Sequence, residues 1–214
     1  MKFEREIPMD HGHIRSVRQI TKNRYLNFFE VEAVKRNGDT FPYYLASRAE
    51  NTDELYLHMK ETKSPDGVTI FGLYGESKDR VVLVRQFRYP VGDYVYELPA
   101  GLVEQGEDIH EAAVREMKEE TGLTFRVVRT DPWQDRAYFM TDGMTDEACS
   151  YAYGICTGTV SIKGLEETED LQVILADREE ARRILREERV ALSCAMMLMR
   201  FITDDDPFAF LDKI

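Results

Sequence analysis

Residues 107–121 read EDIHEAAVREMKEET, and the pattern demands a surface to pack on. At about 100° per residue, Ile109, Ala112, Ala113 and Met117 fall in one stripe of an amphipathic helix. Asp108, His110, Glu111, Arg115 and Lys118 take the opposite face, with Glu119 on the border. Gly122 is the natural C-terminal cap. Yet Glu116 and Glu120 lie inside the apolar stripe. Two ionised carboxylates one turn apart on a core-facing side repel each other and lose hydration, so a cation has to compensate them. A hard divalent ion such as magnesium suits carboxylate oxygens. On an arbitrary helix an EMKEE run is a solvated charged face; two of its acids on the apolar stripe point to a metal site instead.

The rest of the chain supplies the sheet such a helix needs. Residues 68–74 and 80–87 are apolar and β-prone, separated by the polar turn GESKD, and read as a hairpin. Strand-like runs follow the helix at 125–129, 148–160 and 171–175. Asp177 with Glu180 makes a capping box for a helix to about residue 186, and Ser193 is placed to cap a last helix to 202. Upstream, residues 25–34 and 41–45 flank Asn37-Gly38-Asp39 and form a second hairpin, while 51–63 read as helix or strand. The turn Ser64-Pro65-Asp66-Gly67 marks a boundary. It separates a strand-rich section, 1–63, from a domain at 64–214. Strands with segregated helices predict an α+β or layered α/β/α fold.

Charge and cysteine usage narrow the classes of function. A net charge of −12 disfavours binding to nucleic acid or anionic membranes, though metal ions and a few arginines can reverse the sign locally for a small phosphate compound. No apolar stretch approaches the roughly 20 residues of a membrane span, and the opening MKFEREIPMDHGH lacks the apolar run of a secretory signal. A cytoplasmic location is expected. Cys149, Cys156 and Cys194 have no paired spacing, so they read as small buried hydrophobes and not as a disulfide framework or zinc cluster. The four histidines, His11, His13, His58 and His110, show no nucleophile or zinc spacing.

Around the helix, residues 101–123 read GLVEQGEDIHEAAVREMKEETGL. The order is Gly, five residues, Glu, seven residues, Arg-Glu, an aliphatic, any residue, Glu-Glu, any residue, Gly, an aliphatic. This segment resembles the signature box of the Nudix hydrolases, which fold as an α/β/α sandwich with a loop, helix and loop around the metals. The resemblance implies that Glu116 and Glu120 bind magnesium, or manganese in its place, with Glu119 close to the metals. It implies an orienting role for Arg115, paired with Glu107 across two helical turns. Gly101 is expected to permit a tight loop.

The approach to the box, VLVRQFRYPVGDYVYELPAG, resembles the ADP-sugar diphosphatase branch. That likeness makes the Ala100 carbonyl a metal ligand, Arg88 the grip on substrate phosphate, and Glu97 the residue orienting Arg88 or substrate. Arg48, in the N-terminal strands, is a third substrate-side candidate. Thr141-Asp142-Gly143-Met144-Thr145-Asp146-Glu147 resembles the branch's loop after the box, with Asp142 where a proline is usual. In the acidic run GLEETEDL, residues 164–171, Glu167 matches the catalytic base and Glu169 a supporting carboxylate. The implied reaction is hydrolysis of a nucleoside diphosphate sugar, ADP-ribose giving AMP and ribose 5-phosphate. Similar enzymes are homodimers whose N-terminal strands, here 25–48, pack on the partner. Two other readings fit the same box: hydrolysis of a UDP- or GDP-sugar, and a non-catalytic domain that senses a nucleotide sugar. The second should have lost metal-binding glutamates, all of which are present.

Overall fold

The computed structural model describes residues 11–59, 64–128, 131–165 and 170–211. In chain order the elements are β1 (His13–Gln19), β2 (Asn27–Val34), β3 (Thr40–Ser47), β4 (Gly67–Tyr74), β5 (Arg80–Arg88), β6 (Asp93–Glu97), β7 (Ala100–Leu102) and α1 (Ile109–Thr121). There follow β8 (Thr124–Val127), β9 (Tyr138–Phe139), β10 (Ala148–Thr157), β11 (Leu171–Ala176), α2 (Arg178–Glu187) and α3 (Leu192–Thr203). They form two compact units, Met1–Ser64 with Ala137–Ala148, and Pro65–Arg136 with Cys149–Ile214.

The first unit is built on an antiparallel sheet in the order β1-β2-β3. Gly38, at φ +87°, makes the turn between β2 and β3. Alternation along β2 buries Asn27, Phe29 and Val31 and leaves Phe28 on the other face, 46% exposed. Strand β1, sequence HIRSVRQ, has no apolar alternation to betray it. It is held on β2 by backbone pairing and by two exposed ion pairs, Arg15 with Glu32 at 3.1 Å and Arg18 with Glu30 at 3.0 Å. Residues 51–59 contain two short 3-10 turns, Thr52–Glu54 and Tyr56–His58. Residues 137–148 pack on this sheet. The Tyr43 hydroxyl donates to the Gly143 carbonyl at 2.6 Å, the Ala46 N–H to the Met144 carbonyl at 2.9 Å, and the Tyr56 N–H to Asp146 at 3.1 Å.

The second unit is an α/β/α sandwich. Its sheet runs β11-β5-β4-β10-β8, with β6 paired to β5 and β7 to β4. The β4–β10 pair is parallel; β5–β11 and β8–β10 are antiparallel. Because side chains alternate, one face of β4 and β5 presents Val68, Ile70 and Val82 to Ala112, Ala113 and Met117 of α1. The other face presents Phe71, Leu73, Val81 and Leu83 to Ala181 and Ile184 of α2 and to Cys194, Leu198 and Phe201 of α3. Cys156 and Cys194 are buried, and burial pushes both thiols up to about 12, which leaves them inert packing groups.

Two helix starts differ from expectation. Asp177 caps α2 through the Glu179 and Glu180 N–H groups, both at 2.9 Å, but the Glu180 carboxylate turns to Arg183 and not back to the cap. Helix α3 is capped by Ala191 without a side-chain bond, and Ser193 lies within its first turn. The Ala191 N–H is taken by the Tyr96 carbonyl at 3.0 Å, which sets the helix start before Ser193 is reached. The Ser193 hydroxyl bonds Tyr151.

Candidate active site

Helix α1 starts at Ile109 because Asp108 stops short of it, its carboxylate accepting the His110 N–H at 2.9 Å. Gly122, at φ +74°, closes the other end. Glu107 therefore precedes the helix, in a turn where it accepts the Glu104 N–H at 2.9 Å. Ala112, Ala113 and Met117 are fully buried, and Glu120 is buried with them at 5% exposure. The Glu116 side chain is 14% exposed and that of Glu119 50%.

Arg115 does not occupy the outer face that the helical wheel assigns it. Its guanidinium grips Glu107 through Nε and Nη2 at 3.0 and 2.9 Å, and bonds Glu116 at 2.7 Å and Glu119 at 3.2 Å through Nη1. Nη2 also donates to the Leu102 carbonyl at 2.9 Å. A wheel fixes the direction of Cα–Cβ, whereas a long side chain can curl round the cylinder and keep its charged head on another face. Arg115 is thus one cation that offsets the acids of the stripe. Glu107 chiefly, and then Glu116, raise the guanidinium's affinity for its proton; Arg115, followed by the Glu104 N–H, holds Glu107 below the usual glutamate value.

Glu120 has a different partner, the Ala100 N–H, which donates to Oε2 at 3.2 Å. Strand β7 brings that group in by pairing Ala100 with Thr69 and Gly101 with Val68 on β4. A Cβ on Gly101 would lie 1.9 Å from the Glu116 carboxyl carbon. Glycine is required there so that the Glu116 carboxylate can lie against the strand; the residue is not in the left-handed region, so a tight loop is not the reason. Glu116, Glu119 and Glu120 line a cavity of about 490 Å³ together with Ala100, Glu104 and Gly164. Gly164 fits because a Cβ there would come within 2.7 Å of the Glu119 carbonyl oxygen, and Ser161 is tied to the Thr121 carbonyl at 2.9 Å.

A second cluster sits on the β5–β6 hairpin. Arg88 Nε donates to Glu97 Oε1 at 2.8 Å, and Nη2 makes a closer second bond to Oε2. By alternation from Val82, Arg88 points to the side of the sheet that α1 covers, as does Glu97, paired with Val84. Neither lines the carboxylate cavity. Arg48 lies in the other unit, paired with Glu147 at 3.2 Å. Glu167 and Glu169 lie outside the described residues. Glu104 is a cavity residue that the sequence did not single out, since it falls in an unconstrained spacer of the box.

The donor chemistry suits a divalent cation: two nearly buried carboxylates, a third at the rim, and a main-chain segment at one cavity. Among the described residues no three His, Cys, Asp or Glu side chains are yet spaced to hold an ion. Arg115 takes Oε1 of Glu116 and the Ala100 N–H takes Oε2 of Glu120.

Residues 63–193 match the NUDIX domain, more than half of the chain, and the protein belongs to the Nudix family. The chain is 34% identical over 128 residues to the putative nudix hydrolase 2 of Caenorhabditis elegans, covering 54% of this chain and 53% of that protein. It is 34% identical over 128 residues to the ADP-ribose pyrophosphatase of Saccharomyces cerevisiae, covering 56% and 51% respectively. With the ADP-sugar pyrophosphatase of Mus musculus it shares 40% identity over 82 residues, 37% of this chain and 38% of the other. The chain thus spans about half the length of these relatives, or less. A solved structure described as an ADP compounds hydrolase shares the fold, with a TM-score of 0.57 over 85% of this chain and 86% of its own, at 18% identity.

Proposed function

We propose that the protein hydrolyses the diphosphate linkage of a nucleoside diphosphate sugar, ADP-ribose being the leading substrate and AMP and ribose 5-phosphate the products. The observation that carries this is the gathering of Glu116, Glu119 and Glu120 at one cavity beside the Ala100–Gly101 strand. The likeness to the ADP-ribose pyrophosphatase of yeast and the ADP-sugar pyrophosphatase of mouse supports the choice of an ADP-sugar. Glu116, Glu120 and the Ala100 carbonyl would hold magnesium, or manganese in its place, with Glu119 nearby. When bound, such an ion neutralises charge developing on the diphosphate and lowers the pKa of water. Arg88 grips a substrate phosphate through its guanidinium, and Glu97, which takes the Nε and Nη2 donors, orients it. Glu167 accepts a proton from the attacking water. The water oxygen adds to one phosphorus, the bond from that phosphorus to the bridging oxygen breaks, and the bridging oxygen leaves on the second phosphate.

The same reading makes the chain cytoplasmic and homodimeric, with residues 1–63 as the dimerisation section and Arg48 serving substrate in the assembled pair. Exposed Phe28 and Tyr44 on the sheet of the first unit favour a protein partner there. No helix among the described residues is long and apolar enough to cross a membrane. A panel of ADP-ribose, ADP-glucose, UDP-glucose, GDP-mannose, NADH and diadenosine polyphosphates, with products separated by chromatography, tests the proposal. ADP-ribose is expected to be turned over fastest. Much faster release from a UDP- or GDP-sugar would remove the ADP-sugar assignment, and no release from any compound would remove the enzyme.

A further inference from the structure

Glu104 joins the lining of the carboxylate cavity from a turn whose backbone is pinned at several points. The Glu107 N–H donates to the Glu104 carbonyl at 3.0 Å and closes the turn, with Gly106 at φ +82° in the left-handed position it needs. The Glu104 N–H goes to the Glu107 carboxylate at 2.9 Å, and Arg115 grips that same carboxylate. Just before the turn, the Val103 N–H donates to the Asp66 carbonyl at 3.1 Å, and the Leu102 carbonyl accepts Arg115 Nη2 at 2.9 Å. The main chain that carries Glu104 is therefore fixed both to α1 and to the residues leading into β4. Its side chain is not. Among the described residues the Glu104 carboxylate has no hydrogen bond or ion pair, whereas Glu116 and Glu119 are bonded by Arg115 and Glu120 by the Ala100 N–H.

Four glutamates thus line the cavity, and Arg115, the one cation among its lining residues, is shared with Glu107 outside it. The balance is negative, and an anionic diphosphate meets repulsion there until cations offset it. Magnesium dehydrates reluctantly and keeps several waters when protein carboxylates hold it, and those waters need acceptors. A carboxylate with open acceptor positions on an anchored backbone meets that need. We propose that Glu104 is a water-mediated ligand of the divalent cation bound at this cavity, its carboxylate accepting hydrogen bonds from water that the cation retains. The assignment rests on the reading of the cavity as a metal site. An exposed glutamate that only attracts cations at long range would act differently: that attraction is screened by salt, while a hydrogen bond to metal-bound water is not.

Manganese binding to the full chain, without substrate, is measured by titration with electron paramagnetic resonance of the free ion, and magnesium binding by competition. Glu104→Gln is expected to weaken both about tenfold, the cost of losing a group that holds metal-bound water. Glu111→Gln removes the same charge from the exposed opposite face of α1 and should stay within about twofold of the parent. The difference between the two variants should persist in about 1 M potassium chloride, where screening acts over roughly 3 Å. In turnover, Glu104→Gln should need about tenfold more magnesium and keep kcat at saturating metal within about twofold. Parent-like metal affinity in Glu104→Gln would overturn the assignment and leave the metal site standing. Equal losses in Glu104→Gln and Glu111→Gln, or a loss that vanishes in salt, would overturn it too, by reducing Glu104 to a long-range charge. A parent that binds no manganese would remove the metal site itself, and the role of Glu104 with it.

Discussion

At Gly101 the requirement is steric. The carboxyl group of Glu116 occupies the space a side chain would need, so Gly101→Ala must push Glu116 out of the cavity or distort β7. Turnover is expected to fall by about 100-fold or more while the protein still folds; parent-like kcat in this variant would show that Glu116 is not held there. Glu107 gives a prediction in pH. Its carboxyl is held below the usual 4.5 by Arg115 and then by the Glu104 N–H. A depressed folded-state pKa gives stability that is fully present above the unfolded value and is lost as pH falls through the folded one. The gap in melting temperature between parent and Glu107→Gln should therefore be widest near neutral pH and shrink as pH drops below about 4.5. A gap that is constant with pH would mean the ion pair with Arg115 contributes nothing. Helical period alone located Glu116 and Glu120. It misplaced Arg115 because its reach exceeds what a wheel encodes, and it passed over Glu104 because no periodic element contains it.

Helix α1 carries the acids, and its sequence disclosed it best, since a fifteen-residue amphipathic pattern integrates many weak preferences. Strands β4, β5 and β10 were legible as apolar runs because they sit in the middle of a sheet covered on both faces. Strand β1 was not, because most of it stays exposed; β6 and β7 are short and separated by Leu98 and Pro99. Caps were the weakest point, as at Ser193, where a tertiary hydrogen bond from Ala191 to Tyr96 decided the start of α3. For α1 itself, Glu120→Gln keeps an oxygen to accept the Ala100 N–H. The metal-free variant is expected to be as stable as the parent within about 0.5 kcal/mol, or slightly more stable, because a buried charge has been removed. Destabilisation by several kcal/mol in thermal unfolding would make Glu120 a structural partner instead of a metal ligand.

At the scale of the molecule, the exposed Phe28 and Tyr44 of the N-terminal sheet are expected to be covered by a second copy. Light scattering at micromolar concentration should give twice the 24.9 kDa chain mass, and Phe28→Asp should shift it towards the single mass with loss of activity. A fully active monomer would contradict the assembly and Arg48's part in it. The central claim, that the carboxylate cavity is a metal-dependent site for diphosphate hydrolysis, is tested most directly by product release from ADP-ribose in parent and Glu120→Gln, with magnesium and with chelator. The parent with magnesium should release AMP and ribose 5-phosphate in equal amounts, while the chelated parent and the folded variant should fall below about one hundredth of that rate. Undiminished release in chelator, or from Glu120→Gln, would contradict it.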